Sequence, residues 1–292
     1  MEQLKKIAVT TDTNSGLMPH ELDEQGIFVL PMPFVVDNEC FLESVDLSRA
    51  DFYEKLKGDS KITTSQPSVG DVSEFWTNIL KEYDKIIHIP TSSYLSAACA
   101  TAQTLAQDFN GKVYVVDNHR ISAPLKWSAL DAAKLRDQGK TAEAIVNILT
   151  EQSADYSVYL SLDSMEYLKK GGRVSSAVAA IGSILKLRPV LQIKGAGIEK
   201  FALPRTIAKA NLLMKEALLD DLANKFKDYA EKDEMRLIVV YGENEKDAVA
   251  LQREVEKYFP NVPFLAPNPM SLSVACHTGP NTIAICLIRV RE

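Results

Sequence analysis

The sequence predicts an α/β protein of two domains. The N-terminal domain is expected to hold a largely parallel sheet with flanking helices, and the C-terminal domain a mixed or antiparallel sheet. Three observations carry this reading. The chain has 292 residues, more than one hydrophobic core usually organises. In its first half, short β-branched runs alternate with longer segments of helical periodicity, the pattern of βαβ units. In its second half, two strand-like runs flank Lys194-Gly195-Ala196-Gly197, a connection of hairpin type that implies antiparallel pairing.

The elements follow in order. Residues 7–11, 85–89 and 113–116 read as strands of the kind covered on both faces. Residues 69–83, 95–109, 123–138 and 141–152 carry apolar positions at helical spacing. Gly139-Lys140-Thr141 separates the last two of these helices, with Thr141 suited to cap the second. Further on, residues 157–162, 187–193 and 198–203 read as strands. They are followed by a long helix over 206–230, a strand over 237–241, a helix over 245–258 and a closing strand over 282–288. The domain boundary is placed near Tyr156, giving domains 1–155 and 156–292.

Composition excludes several functions. Apolar residues make up 46% and charged residues 25% of the chain, ordinary values for a globular protein. The net charge of -6 argues against nucleic acid as a ligand, which would require clustered Lys and Arg. Cys40, Cys99, Cys276 and Cys286 are widely spread and form no metal-ligand spacing, so reduced thiols and no metal are expected. The stretch 174–193 contains Ser175, Ser176, Ser183, Lys186 and Arg188, too polar for a transmembrane helix. The apolar run after Lys6 is too short for a signal-peptide core. A cytoplasmic location is therefore expected.

In open α/β sheets, ligands settle beyond the carboxyl ends of strands. Three hydroxyl-rich loops fall at such places: Thr10-Thr11-Asp12-Thr13-Asn14-Ser15, Thr63-Thr64-Ser65-Gln66-Pro67-Ser68 and Thr91-Ser92-Ser93-Tyr94-Leu95-Ser96. The last two are expected at helix N-termini, where unpaired N–H groups and the helix dipole favour an anion. Taken singly, each hydroxyl is also an ordinary helix cap. None of the three loops contains Lys or Arg, which suits a singly charged carboxylate better than a phosphate.

Six segments, in order, carry a family resemblance. They are Ile7-Ala8-Val9-Thr10-Thr11-Asp12-Thr13, Thr64-Ser65-Gln66-Pro67-Ser68, Ser92-Ser93-Tyr94-Leu95-Ser96, Val115-Val116-Asp117, Tyr167-Leu168-Lys169-Lys170-Gly171-Gly172-Arg173-Val174-Ser175 and His277-Thr278-Gly279-Pro280. In them the chain resembles the DegV family, bacterial fatty-acid-binding proteins that carry the lipid for fatty acid kinase. The resemblance implies a bound long-chain fatty acid, such as palmitate, stearate or oleate, and no other cofactor. Its carboxylate would be held by Thr64 and Ser93, with Ser92 as the alternative to Ser93. His277 and Arg173 would support the head group, and Arg205 would contact the kinase. This chain would not itself be an enzyme, because the partner kinase phosphorylates the bound carboxylate with ATP. Transient contact with a membrane surface is a further expectation. The sequence departs from the family pattern at Thr206, where a Gly is usual, and at Ala97-Ala98-Cys99, in place of Gly-Thr-Tyr.

The alternative is a stand-alone hydrolase or transferase that uses the same loops with His277. Cys276 and His277 would then be a nucleophile pair, but in an extended segment adjacent side chains point apart. Asp12 could suggest ribose or metal binding, yet no nucleotide-binding glycine loop is present, so Asp12 is expected to order its own loop. Gly171-Gly172 reads equally as a helix end, with Lys169 and Lys170 at the negative pole of the dipole.

Overall fold

In the computed structural model, which describes residues 6–172, 187–194 and 197–291, the chain forms two units. Unit 1 comprises Met1–Ser48 and Thr64–Ser153, and unit 2 comprises Arg49–Thr63 and Ala154–Glu292. The chain thus crosses between units at 48/49 and 63/64 as well as at 153/154, whereas the sequence reading has one boundary near Tyr156.

Unit 1 starts with β1 (Ile7–Asp12), β2 (Ile27–Leu30) and a hairpin of β3 (Pro33–Val36) and β4 (Glu39–Leu42). The excursion to unit 2 carries α1 (Arg49–Lys57) and most of β5 (Ile62–Thr64). Back in unit 1 follow α2 (Val69–Ile79), β6 (Lys85–Ile89), α3 (Ala98–Leu105), β7 (Val113–Val115), α4 (Ser122–Asp137) and α5 (Ala142–Glu151). The main sheet has the order β2-β1-β6-β7, and all its strands are parallel.

Side-chain alternation along β1 and β6 builds two cores, one on each face of this sheet. Ile7, Val9, Ile87 and Ile89 pack with Leu125, Ala129 and Ala132 of α4 and Ile145 and Leu149 of α5. Ala8 and Ile86 point the other way, to Val72, Trp76 and Ile79 of α2 and Ala102 and Leu105 of α3. Each such apolar side chain contributes roughly 1.5–3 kcal/mol on burial, which is why these strands are apolar on both faces. Thr141 caps α5, accepting a hydrogen bond from the Ala144 N–H (3.2 Å).

Unit 2 contains β8 (Tyr156–Ser161), α6 (Glu166–Gly171), β9 (Val190–Lys194), β10 (Gly197–Ala202), α7 (Ile207–Asn224) and α8 (Lys227–Ala230). It continues with β11 (Met235–Tyr241), α9 (Glu245–Val255), β12 (Asn268–Pro269), α10 (Leu272–Thr278) and β13 (Ile283–Arg289). The sheet order is β10-β9-β8-β13-β11-β12, antiparallel except for the β11/β12 pair. Tyr159, Val190, Leu237, Val239, Ile285 and Leu287 present one face of this sheet to α7 and α9. Helix α1 joins this unit through Arg49, whose guanidinium donates to Met270 O (2.6 Å) and Gly242 O (2.9 Å).

Two expectations about local structure change. Helix α3 starts only at Ala98, with no side-chain cap, so the serine loop is a separate turn in which Ser92 O accepts from the Leu95 and Ser96 N–H groups (both 3.0 Å). Cys276 and His277 lie on α10, not on an extended segment, because Ser271 caps that helix by accepting from Val274 N–H (3.2 Å) and the cap glycine Gly279 ends it with φ 88°. Adjacent residues on a helix also diverge, by about 100° of rotation. Among the described residues, no helix is long and apolar enough to cross a membrane, and no group of three His, Cys, Asp or Glu residues could hold a metal.

Candidate functional site

From β1 the chain moves to one side of the sheet and later returns on the other side as β6, so the loops leaving β1 and β6 diverge at neighbouring carboxyl ends. This is the place where parallel sheets bind ligands. Asp12, at the end of β1 and 2% exposed, ties the two loops together. Its Oδ2 accepts from Thr91 N–H (2.7 Å), and its Oδ1 accepts from the Thr91 hydroxyl (2.8 Å) and Asn14 N–H (3.0 Å). The Asn14 amide also donates to Thr91 Oγ1 (2.9 Å). Burial pushes the Asp12 carboxyl up to about 6, against these hydrogen bonds, which pull it down. Both of its oxygens are engaged by its own loops, so Asp12 shapes the site.

Two of the hydroxyl loops meet at this tie, and the third is fastened to the helix that follows the serine loop. Helix α2 hands the chain to the amino end of β6, and its 11 residues span about 16 Å, roughly a strand's length. Its N-terminus, with the Thr64–Ser68 loop, therefore lies toward the carboxyl edge of the sheet. The Thr101 hydroxyl of α3 donates to Gln66 Oε1 (3.2 Å), fastening that loop to the helix after the serine loop. Ser68, not Thr64, caps α2: it accepts from Asp71 N–H (3.0 Å), and Asp71 returns the bond to Ser68 N–H (3.2 Å). The cap explanation therefore accounts for Ser68 and not for Thr64.

The serine loop separates its two candidates. Ser92 is 2% exposed; its N–H donates to Arg120 O (3.0 Å) and its hydroxyl accepts from Tyr94 N–H (3.3 Å). Ser93 is exposed, and its N–H donates to Asp117 Oδ1 (3.3 Å). Ser92 holds the turn, and Ser93 is the serine exposed to solvent.

In unit 2 the two remaining motifs meet. A methyl group at Gly171, the last residue of α6, would lie 2.8 Å from His277 Cε1 and closer still to Nδ1. One at Gly279 would lie 2.7 Å from Cδ2 of Tyr167. The glycines of both motifs thus let α6 and α10 approach closely enough to seat the His277 ring. Gly172 closes α6 in the left-handed region (φ 64°), its N–H donating to Lys169 O (3.2 Å), as a helix end requires. Gly171→Ala is expected to force the ring aside and to cost about 1–3 kcal/mol by overpacking, read as a lowered Tm. A Tm equal to the wild type would show that this contact is slack.

Arg173 and most of the apolar stretch 178–187 lie outside the described residues. Arg205 is exposed, two residues before the start of α7. Thr206, the departure from the family pattern, is the cap of that helix and accepts from Lys209 N–H (3.2 Å). Two supporting residues that the sequence reading passed over are Glu43, fully buried and accepting from the Thr13 hydroxyl (3.0 Å), and His119 beside Asp117. Asp-Asn-His following a predicted strand is a signal that could have drawn attention to the latter.

A parallel-sheet unit with hydroxyl loops at its switch point, followed by a mixed-sheet unit carrying a glycine-seated histidine, defines the class of two-unit α/β protein to which this chain belongs. The chain belongs to the DegV family: the family model described as "Uncharacterised protein, DegV family" matches residues 6–290. Protein DegV of Bacillus subtilis is 32% identical over 286 residues, covering 96% of this chain and 98% of that protein. The solved structure of B. subtilis DegV, described as a fatty acid binding protein, superposes with TM-score 0.84 at 29% identity, covering 98% of this chain and 99% of its own. A DegV family protein from Thermus thermophilus, whose structure is described by its fatty acid binding, gives TM-score 0.86 at 28% identity, covering 98% of this chain and 100% of its own.

Proposed function

We propose that this chain binds a long-chain fatty acid non-covalently and presents its carboxylate to a partner ATP-dependent kinase, which phosphorylates it to an acyl phosphate. The observation that carries the first half is the near full-length kinship with DegV proteins whose solved structures are described as fatty acid binding. The kinase follows from the family resemblance. Burying the tail is worth roughly 0.8 kcal/mol per methylene, so the chain supplies affinity while the head group sets orientation.

Ser93, an exposed residue, and Thr64, which does not cap α2, are the proposed carboxylate donors, with Ser92 holding the turn of the serine loop. The supporting roles of His277 and Arg173, the kinase contact of Arg205, a brief encounter with a membrane surface and a cytoplasmic setting rest on the resemblance and the sequence.

Protein purified from a bacterial host is expected to release fatty acid on denaturation, detectable by mass spectrometry. Recovery of no lipid, together with no uptake of added palmitate or oleate, overturns the proposal. A hydrogen bond to a charged group is worth about 1.5–3 kcal/mol. Thr64→Ala and Ser93→Ala are therefore each expected to weaken palmitate binding by roughly tenfold to a hundredfold in a calorimetric titration. An unchanged affinity in either variant removes that residue from the carboxylate site.

A further inference from the structure

Beside Ser93 lies an assembly of side chains that the carboxylate site does not use. Asp117 follows β7, and its Oδ1 accepts from both Ser93 N–H (3.3 Å) and His119 N–H (3.2 Å). The same oxygen lies 3.1 Å from His119 Nδ1. One carboxylate oxygen thus joins the serine loop to the next loop and lies against an imidazole. On the other side Asp117 meets the buried Cys99 thiol, which burial and that carboxylate together push up to about 12.

The His119 ring is a third exposed and lies 4.8 Å from the ring of Tyr94, itself 51% exposed, at an angle of 44°. His119 also has φ 56°, a left-handed conformation that a non-glycine residue adopts at a cost. Such strain persists where the surroundings enforce it. Here the enforcing groups are Asp117 on one side and Tyr94 on the other, and the result is an imidazole held at the rim of the loop that carries Ser93.

Building on the fatty acid reading above, we propose that His119, positioned by Asp117, is the contact that receives the added negative charge when the bound head group is a phosphoryl group rather than a carboxylate. The physical case is a difference in charge. A carboxylate is a single negative charge that hydroxyls and N–H groups can hold, whereas a phosphoryl group carries about 1.5–2 negative charges near neutrality and recruits a cationic donor. The three hydroxyl loops contain no Lys or Arg. The imidazole beside them is a side chain of the type that can carry a positive charge, and its Nδ1 lies 3.1 Å from Asp117 Oδ1. Asp117 acts through Ser93 and His119 and is a positioning residue.

The test is calorimetric titration of the delipidated full-length chain with palmitate and with hexadecylphosphonate, a stable analogue of the phosphorylated head group. His119→Asn removes the imidazole while keeping a residue type that tolerates positive φ. It is expected to lower phosphonate affinity about tenfold more than palmitate affinity. His119→Lys, which supplies a cation, is expected to return the ratio to within about threefold of wild type. Asp117→Asn is expected to weaken both ligands and to shift the ratio in the direction of His119→Asn. Equal losses of the two ligands in His119→Asn overturn the assignment while leaving fatty acid binding intact. Wild-type protein that binds neither ligand overturns the fatty acid reading, and the assignment with it.

Discussion

Replacing His88 with Gln is expected to change the acid stability of the protein by about 3 kcal/mol between pH 7 and pH 4. His88 is 3% exposed, on the face of β6 that meets Trp76, with ring centroids 5.2 Å apart. Its Nδ1 pairs with the Thr10 hydroxyl at 2.8 Å. Burial pushes this histidine from 6.5 down to about 3. A histidine that is harder to protonate when folded contributes stability present above the unfolded value of 6.5 and lost as the pH falls toward 3, at about 1.4 kcal/mol per pH unit.

Asp12 acts in the opposite sense. Its value is raised from 3.8 to about 6, so its ionisation penalises the fold above pH 6, and that penalty is relieved on acidification down to 3.8. The two groups largely cancel between pH 6 and pH 4, and below 3.8 only the histidine loss continues. The His88→Gln variant keeps the Asp12 relief alone and is therefore expected to gain stability on the wild type as the pH falls. Urea denaturation at pH 7 and pH 4 measures the difference. Parallel curves for the two proteins would mean that His88 is not held neutral in the fold.

Asp12→Ala is expected to destabilise the protein by about 3–5 kcal/mol, because it leaves the Thr91 and Asn14 N–H groups buried without their acceptor, at about 1–3 kcal/mol each, in addition to the lost Thr91 hydroxyl bond. At roughly 2–4 °C per kcal/mol, Tm falls by roughly 10 °C. Asp12→Asn keeps one acceptor oxygen and sheds the buried charge, so its cost is expected to stay near about 1 kcal/mol. Thermal unfolding of the two variants side by side separates the lost acceptor from the lost charge. If Ala is no worse than Asn, Asp12 does not tie the β1 and β6 loops.

Much of unit 1 is legible in the sequence because local pattern and tertiary role agree there. β1 and β6 are apolar because helices cover both of their faces, and α5 has its Thr141 cap and its stripe of Ile145 and Leu149. The β3–β4 hairpin turns at Asp37-Asn38, with φ 50° and 74°. That pair, between Phe34-Val35-Val36 and Cys40-Phe41-Leu42, is itself a hairpin signal, obscured by Pro31 and Pro33. Helix α10 is hidden because its seven residues include Val274 and Thr278, branched side chains that favour strands, and its main fixing partner is α6, far away in the sequence. Thr64 and Ser93 are legible as hydroxyls at strand ends. Which serine is exposed is not legible, because it depends on the turn geometry that buries Ser92. The spatial need for Gly171 is equally invisible, since its backbone is ordinary and only the distant His277 ring makes a side chain there intolerable.

The early excursion of the chain has a bearing on its biosynthesis. Helix α1, with Phe52 and Tyr53 fully and almost fully buried, leaves the ribosome among the residues of unit 1, yet it belongs to unit 2, whose sheet lacks a central strand until β13 at Ile283–Arg289 has been made. For most of translation, at about 5–20 residues per second, this aromatic helix must wait unsatisfied while the surrounding segments of unit 1 close around their own cores. A nascent chain stalled before β13 would display it, which makes α1 the segment where a chaperone holding the unfinished protein is best placed to engage.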